Sequence, residues 1–161
     1  MSRPHLHVLP GLGQDEPYVS FCGHCAAQPE PADVDTRVCT SCHLGLIVSA
    51  PLSIVPSKGE AFLMVDGKLG ICAISLKAER LLGVSEADLV NRQLIEILSP
   101  ADAEASSTEH LVSIIAHAAR GDGAVHDVVV RPTGEWGIRW FTRIGPCAAP
   151  SAALIVLAPG G

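Results

Sequence analysis

Two Cys-x-x-Cys pairs, Cys22-Gly-His-Cys25 and Cys39-Thr-Ser-Cys42, stand thirteen residues apart in the first third of a 161-residue chain. Brought together by a short hairpin, they supply four thiolates in the tetrahedral arrangement that Zn²⁺ favours; iron can take the same four ligands. Cys22, Cys25, Cys39 and Cys42 are therefore the candidate metal ligands, with Zn²⁺ the expected ion. A metal held by four protein sulfurs has no position left for water or substrate, so the expected role is to fold and stabilise a small module. Function then has to come from the surfaces that this module touches.

Tyr18-Val-Ser-Phe21 and Thr36-Arg-Val38 read as short strands leading into the two pairs, and Leu44-Gly-Leu-Ile-Val48 as a returning strand. Between the pairs, Gln28-Pro-Glu-Pro-Ala-Asp33 is a loop whose two prolines exclude regular structure. This plan, over residues 18–50, resembles a zinc ribbon. In that family a glycine commonly follows the second cysteine of each pair, whereas Ala26 and His43 stand there here. Cys-Gly-His-Cys is also the active-site tetrapeptide of protein disulfide isomerases of the thioredoxin family, which makes a disulfide oxidoreductase the rival reading. That chemistry needs a helix opening at the first cysteine to lower its pKa. The run Ala26-Ala-Gln-Pro-Glu-Pro31 cannot propagate one, and Cys39 and Cys42 would be left without a role. His24 and His43 are expected as neighbours of a complete thiolate set, and His5 and His7 as solvated residues of a mobile arm over residues 1–17.

With 48% hydrophobic and 17% charged residues the chain can fill a core. Its longest apolar runs, such as Leu44 to Val48 and Leu154 to Ala158, fall far short of the roughly 20 residues needed to span a bilayer. Pro4, His5 and His7 interrupt the N-terminus where an export signal needs an apolar run, so the cytoplasm is the expected compartment, and there cysteines favour metal over disulfides. The net charge of −6 is spread along the chain, with six acids against three bases up to residue 60 and eleven against eight beyond it. Four thiolates on one Zn²⁺ add about two negative charges to the first part. Arg3, Arg37 and Lys58 are too few for a nucleic-acid face, so a transcription regulator that binds nucleic acid is the weaker alternative and protein partners or small ligands fit better.

Pro51, Pro56 and Ser57-Lys-Gly59 read as a linker over residues 51–60. Beyond it, Phe62 to Ile74 is two apolar strands joined at Asp66-Gly67. Ser75 can cap a helix carrying Ala78, Glu79, Leu81 and Leu82, with Gly83 as its C-terminal cap. Together with Val84-Ser-Glu-Ala-Asp-Leu-Val-Asn-Arg92 and Leu94-Ile-Glu-Ile-Leu-Ser-Pro-Ala-Asp102, these residues resemble a PAS domain. Ser75 stands where that family usually has Asn, and Asn91 where it has Gly; both swaps preserve capping or tolerance of left-handed backbone. A long helix is expected over Pro100 to Arg120 with Leu111, Ile114, Ile115 and Ala118 on one face, stopped by Gly121-Asp-Gly123. Strands are expected over Val125–Arg131, Trp136–Ile144 and Ala152–Ala158, with Trp136, Ile138, Trp140 and Ile144 facing the core. The fold class that follows is α+β: a small four-cysteine zinc ribbon joined to a PAS-like domain over residues 61–158, a five-stranded antiparallel sheet with helices on one face.

The resemblance implies a sensor or protein-interaction domain. No haem or flavin is expected: the photoactive-cysteine motif of flavin-binding relatives is absent, and His110 and His117 lie beside the apolar helix face. A small apolar ligand could meet Ile114, Ile115, Trp136 and Trp140. Cys72 and Cys147 are expected as buried, inert thiols. The chain lacks a Gly-x-Ser-x-Gly elbow and a phosphate loop, so no catalytic residue is assigned and a non-enzymatic cytoplasmic signalling or regulatory protein is expected. The resemblance also places the first, second and last strands of the domain side by side, and all three are apolar on both parities. The outer face then needs a cover, expected to be a second copy of the chain in a homodimer, with the ribbon or its linker as the competing cover.

Overall fold

The structure, a computed structural model, describes residues 16–33, 35–101, 107–122, 124–148 and 150–159. Apart from Glu16 and Pro17, the expected N-terminal arm lies outside the described residues. Strands β1 (Tyr18–Cys22) and β2 (Ile47–Pro51) pair antiparallel as a hairpin. The expected strand Thr36–Val38 is reduced to a single bridge between Val38 and Leu46, because the second cysteine pair turns the chain immediately after it.

The larger sheet contains β3 (Ala61–Val65), β4 (Ile71–Ile74), β5 (Leu98–Pro100), β6 (His126–Pro132), β7 (Trp140–Cys147) and β8 (Ala152–Pro159), in the order β4-β3-β8-β7-β6-β5. It has six strands where five were expected. The additional one is β5, which pairs with β6 from Leu98↔Pro132 to Pro100↔Val130; Pro100 tolerates this position because β5 is the sheet edge. The long helix α4 accordingly opens later than expected, at Thr108–Ala119, capped by the Ser107 side chain. Helices α1 (Leu76–Leu82), α2 (Glu86–Leu89) and α3 (Leu94–Ile97) occupy the segment between β4 and β5.

Local signals explain most of this framework. Asp66 organises the β3–β4 turn by accepting from the backbone N–H groups of Lys68 and Gly70, with Leu69 in the left-handed region, so the loop is longer than a two-residue turn. Gly83 ends α1 at φ 69°, and Asn91 takes φ 72° where the PAS pattern has glycine. The Ser75 hydroxyl oxygen caps α1 by accepting from the Ala78 N–H at 3.1 Å and also accepts from the Phe62 N–H at 3.0 Å, while Ser75 itself is buried. Ser75→Ala is expected to uncap the helix and strand a buried strand donor together, a loss of about 2–4 kcal/mol. Denaturant titration reads this directly, and a loss below about 0.5 kcal/mol would show the two contacts to be idle.

Two apolar layers sandwich the sheet. On the inner face Leu63, Val65, Ile144, Ile155 and Leu157 pack against Leu94, Leu111, Ile115 and Ala118 from the helices. On the outer face Phe62, Met64, Leu154 and Val156 pack against Phe21, Val48, Ala50 and Ile54 from the ribbon and the segment after it. The cover expected to be a second copy is therefore supplied by the chain itself. Phe21 meets Phe62 edge to face at 5.7 Å between ring centroids. Ile54 lies over Gly145, where an added Cβ would come within 2.7 Å of its Cδ1. Ser49 and Ala148 exchange backbone hydrogen bonds, and Arg143 donates to both oxygens of Glu60 at 3.0 Å, so residues 49–60 are held along the sheet. Ile155 lies on the inner parity, with Leu154 and Val156 outside.

The expected strand Trp136–Ile144 begins only at Trp140, because Gly134 and Gly137 take positive φ and turn the chain. Trp140 and Ile144 are core residues as expected, but Trp136 is 81% exposed, its ring stacked under the Arg131 guanidinium at 3.8 Å, and Ile138 is also exposed. Trp136 therefore cannot line an internal pocket with Ile114, Ile115 and Trp140.

Candidate metal centre

Each cysteine pair sits in a tight backbone turn that aims N–H groups at sulfur. Cys22 Sγ accepts from the backbone of His24 at 3.3 Å and Cys25 at 3.5 Å; Cys39 Sγ accepts from Ser41 at 3.4 Å, and Cys42 Sγ from Gly45 at 3.4 Å. The turns close through Ala26 N–H to Cys22 O and His43 N–H to Cys39 O. Ala26 and His43, the residues standing where ribbons commonly have glycine, adopt φ 65° and 59°. The left-handed turn is thus kept at the cost of strain that glycine avoids.

These turns bring the four sulfurs within 4.8 Å of one another, with Cys22 to Cys42 at 3.6 Å and Cys25 to Cys39 at 3.8 Å. A tetrahedral ion with Zn–S bonds of about 2.3 Å requires sulfurs about 3.8 Å apart, which these two separations match, so the four sulfurs are disposed to hold a metal ion such as Zn²⁺. All four cysteines are free, and these separations are far longer than an S–S bond of about 2.0 Å. Cys22 ends β1 and no helix opens at it, so the device that activates a redox cysteine is missing at this position.

The thiol environments are uneven. Burial pushes Cys22 up to about 12, only partly offset by the N–H groups of Cys25 and His24, and burial also raises Cys25. Burial acts upward on Cys39 too, but the N–H groups of Cys42 and Ser41 and the neighbouring thiols outweigh it and bring Cys39 down to about 7. A buried thiol held protonated beside one poised to ionise is a set of protons for a cation to displace, so metal affinity falls as pH falls.

Gly45 is the functional residue that sequence reasoning missed. A Cβ there would lie 2.2 Å from Cys22 Sγ, which makes it the point where the second turn passes under the first. The cue was a glycine three residues beyond Cys42.

Neither remaining cysteine joins the cluster. Cys147 is buried in the outer layer, where burial raises it to about 12, while Cys72 is exposed on the edge strand β4, contrary to the expectation of two buried thiols. His110 and His117 are both exposed, and His117 Nδ1 pairs with Asp122 at 2.7 Å.

Fold and site together define a PAS-like domain, with its first, second and last strands adjacent as the sequence motifs imply, carrying a four-cysteine ribbon-like module on the outer face of its sheet. No family model and no curated protein matches the sequence. Among solved structures, the chain is similar to the PAS domain of nitrogen regulation protein NR(II) from Vibrio parahaemolyticus, at 19% identity over 67% of this chain and 95% of that one, with a TM-score of 0.46. It is also similar to the PAS domain of a protein from Colwellia psychrerythraea, at 15% identity over 63% and 86% of the two chains with a TM-score of 0.48. A chain of the E. coli DhaR(N)-DhaL complex is similar at 13% identity, over 67% of this chain and 34% of that one, with a TM-score of 0.43.

Proposed function

We propose that this chain is a non-enzymatic cytoplasmic signalling or regulatory protein, in which Zn²⁺ bound by Cys22, Cys25, Cys39 and Cys42 holds a ribbon closed over a PAS-like sensor or interaction domain. The observation that carries this reading is the shared outer layer: Phe21 and Val48 of the ribbon are buried against Phe62, Met64 and Leu154 of the sheet. Metal occupancy and exposure of the sheet are thereby coupled, which gives the thiolate site a regulatory consequence without chemistry at the metal. The ribbon is also the proposed contact for a protein partner, because Val38, Leu44 and Leu46 gather exposed on its free side. Arg37 is the only described cation between residues 18 and 50, which favours a protein partner over nucleic acid.

Metal analysis together with mass spectrometry of natively purified protein tests the proposal. One Zn²⁺ per chain and no stoichiometric visible chromophore are expected. Metal-free native protein that reduces insulin disulfides would replace this reading with the oxidoreductase.

A further inference from the structure

A cleft of about 220 Å³ opens between the first cysteine turn, the segment before β3 and the start of α1. Leu76, 38% exposed, gives the cleft an apolar wall above the buried Ala26 and Phe62, and His24, Lys58, Lys77 and Arg80 stand around it. The walls are tied together where the Leu76 N–H donates to His24 O at 2.9 Å. One carboxylate, Glu60, also lines the cleft, but both its oxygens are engaged by Arg143.

The charge pattern is what makes this cleft unusual in a chain of net charge −6. Arg92 is paired with Glu96, Arg143 with Glu60, and Arg131 is stacked on Trp136. Six described cations, Arg37, Lys58, Lys68, Lys77, Arg80 and Arg120, have no side-chain ion-pair or hydrogen-bond partner among the described residues, and three of the six, Lys58, Lys77 and Arg80, border one cavity. Lys58 comes from one side of the ribbon boundary and Lys77 and Arg80 from the other, so a charge count by halves cannot reveal the cluster.

We propose that this cleft binds a small organic anion, a phosphate monoester with a compact apolar body, its charge met by Lys58, Lys77 and Arg80 and its body resting against Leu76. Three exposed cations around one cavity favour a dianion over a monoanion. An exposed apolar side chain, here Leu76, beside a few convergent polar groups is the usual composition of a small-molecule site. Such a ligand touches ribbon and PAS-like domain at once and therefore favours the docked arrangement. This inference rests on the folded ribbon of the proposed function, and adds a ligand to it. The competing role for the same cations is to offset the excess negative charge of a Zn²⁺–thiolate centre, since Cys25 borders the cleft.

The test is calorimetric and NMR titration of the metal-loaded full chain with phenyl phosphate, with inorganic phosphate and benzoate as comparison probes and metal content measured on every sample. Saturable binding of phenyl phosphate at about 1 mM or below is expected, with inorganic phosphate and benzoate each weaker, and with shifts at residues 24–26, 58–60 and 75–80. The double variant Lys77→Gln/Arg80→Gln should bind about tenfold more weakly with metal retained, while Lys68→Gln/Arg120→Gln, which removes exposed charges elsewhere, should bind like the parent. Absence of saturation, equal losses in both double variants, or metal loss from the first with anion affinity unchanged would each overturn the proposal. Anion binding by a native chain that holds no zinc would leave this site standing while removing the reading of the metal centre.

Discussion

Stripping the metal from the full chain is expected to convert a monodisperse protein into one that self-associates. The two paired strands of the ribbon are five residues each, and a lone hairpin of that size is marginal in water. Packing of Phe21, Val48 and Ala50 on the sheet supports it, and in the zinc-bound protein proposed above the cluster adds the larger share, since a structural Zn²⁺ contributes an apparent 10–16 kcal/mol, roughly, in small zinc modules. Without the ion, the buried Cys22 and Cys39 make no bonds that replace it, and the hairpin loses the turns that position Phe21 and Val48. Phe62, Met64, Leu154 and Val156 then face water as one apolar patch, while the helix-side core around Leu63, Ile115 and Ile144 persists. Cys39→Ser should reproduce the effect of a chelator. Light scattering on the eluting protein and hydrogen exchange of residues 18–50 read the two halves of the prediction. Full metal retention by Cys39→Ser, or a metal-free chain that stays monomeric with β1 and β2 protected, would break the proposed coupling between metal and sheet.

The residues that declared themselves in the sequence are those whose role is set by near neighbours along the chain. The four cysteines, the Ser75 cap, the Gly83 stop and the left-handed Asn91 all act within a few positions, and the structure places each as its local chemistry requires. Continuous apolar runs along β3 and β8, on both parities, likewise told that both faces of the sheet are buried. It could not tell by what. The partner of Phe62 is Phe21, forty-one residues away, and nothing in either strand distinguishes a cover supplied by the same chain from one supplied by another. Trp136 shows the opposite failure. Its spacing from Ile138 and Trp140 imitates a strand, but Gly134 and Gly137 at positive φ break the alternation, and a large ring that reads as core ends up stacked on Arg131 in solvent. β5 was hidden for a related reason, since Pro100 reads as a helix start until the edge position that tolerates it is known.

Gly45 leads to the second large effect. Gly45→Ala is expected to weaken metal binding by about a thousandfold or more, roughly 4 kcal/mol. A methyl group at this position would fall 2.2 Å from Cys22 Sγ, 2.7 Å from the His24 Cβ and 2.9 Å from the His24 nitrogen, closer than real Cβ atoms approach any of them. The backbone has no freedom to retreat. Gly45 N–H donates to Cys42 Sγ at 3.4 Å, and Gly45 O accepts from the Cys39 N–H at 2.8 Å, so moving it away from one cysteine pair drags on the other. The first turn is equally fixed, with Gly23 N–H bonded to Leu46 O and His24 O to the Leu76 N–H. Something in the sulfur tetrahedron must therefore open, and a four-thiolate site tolerates little distortion before affinity falls. Gly59→Ala is the matched control, because a Cβ there meets nothing within 4 Å. Competition against a chromophoric chelator measures both variants on one scale. Gly45→Ala should also self-associate at zinc concentrations that saturate the parent, since losing the tetrahedron removes the cover from Phe62 and Leu154. Retention of parental affinity within about tenfold would mean that the two cysteine turns are not packed as tightly as the Cys22 to Gly45 contact requires.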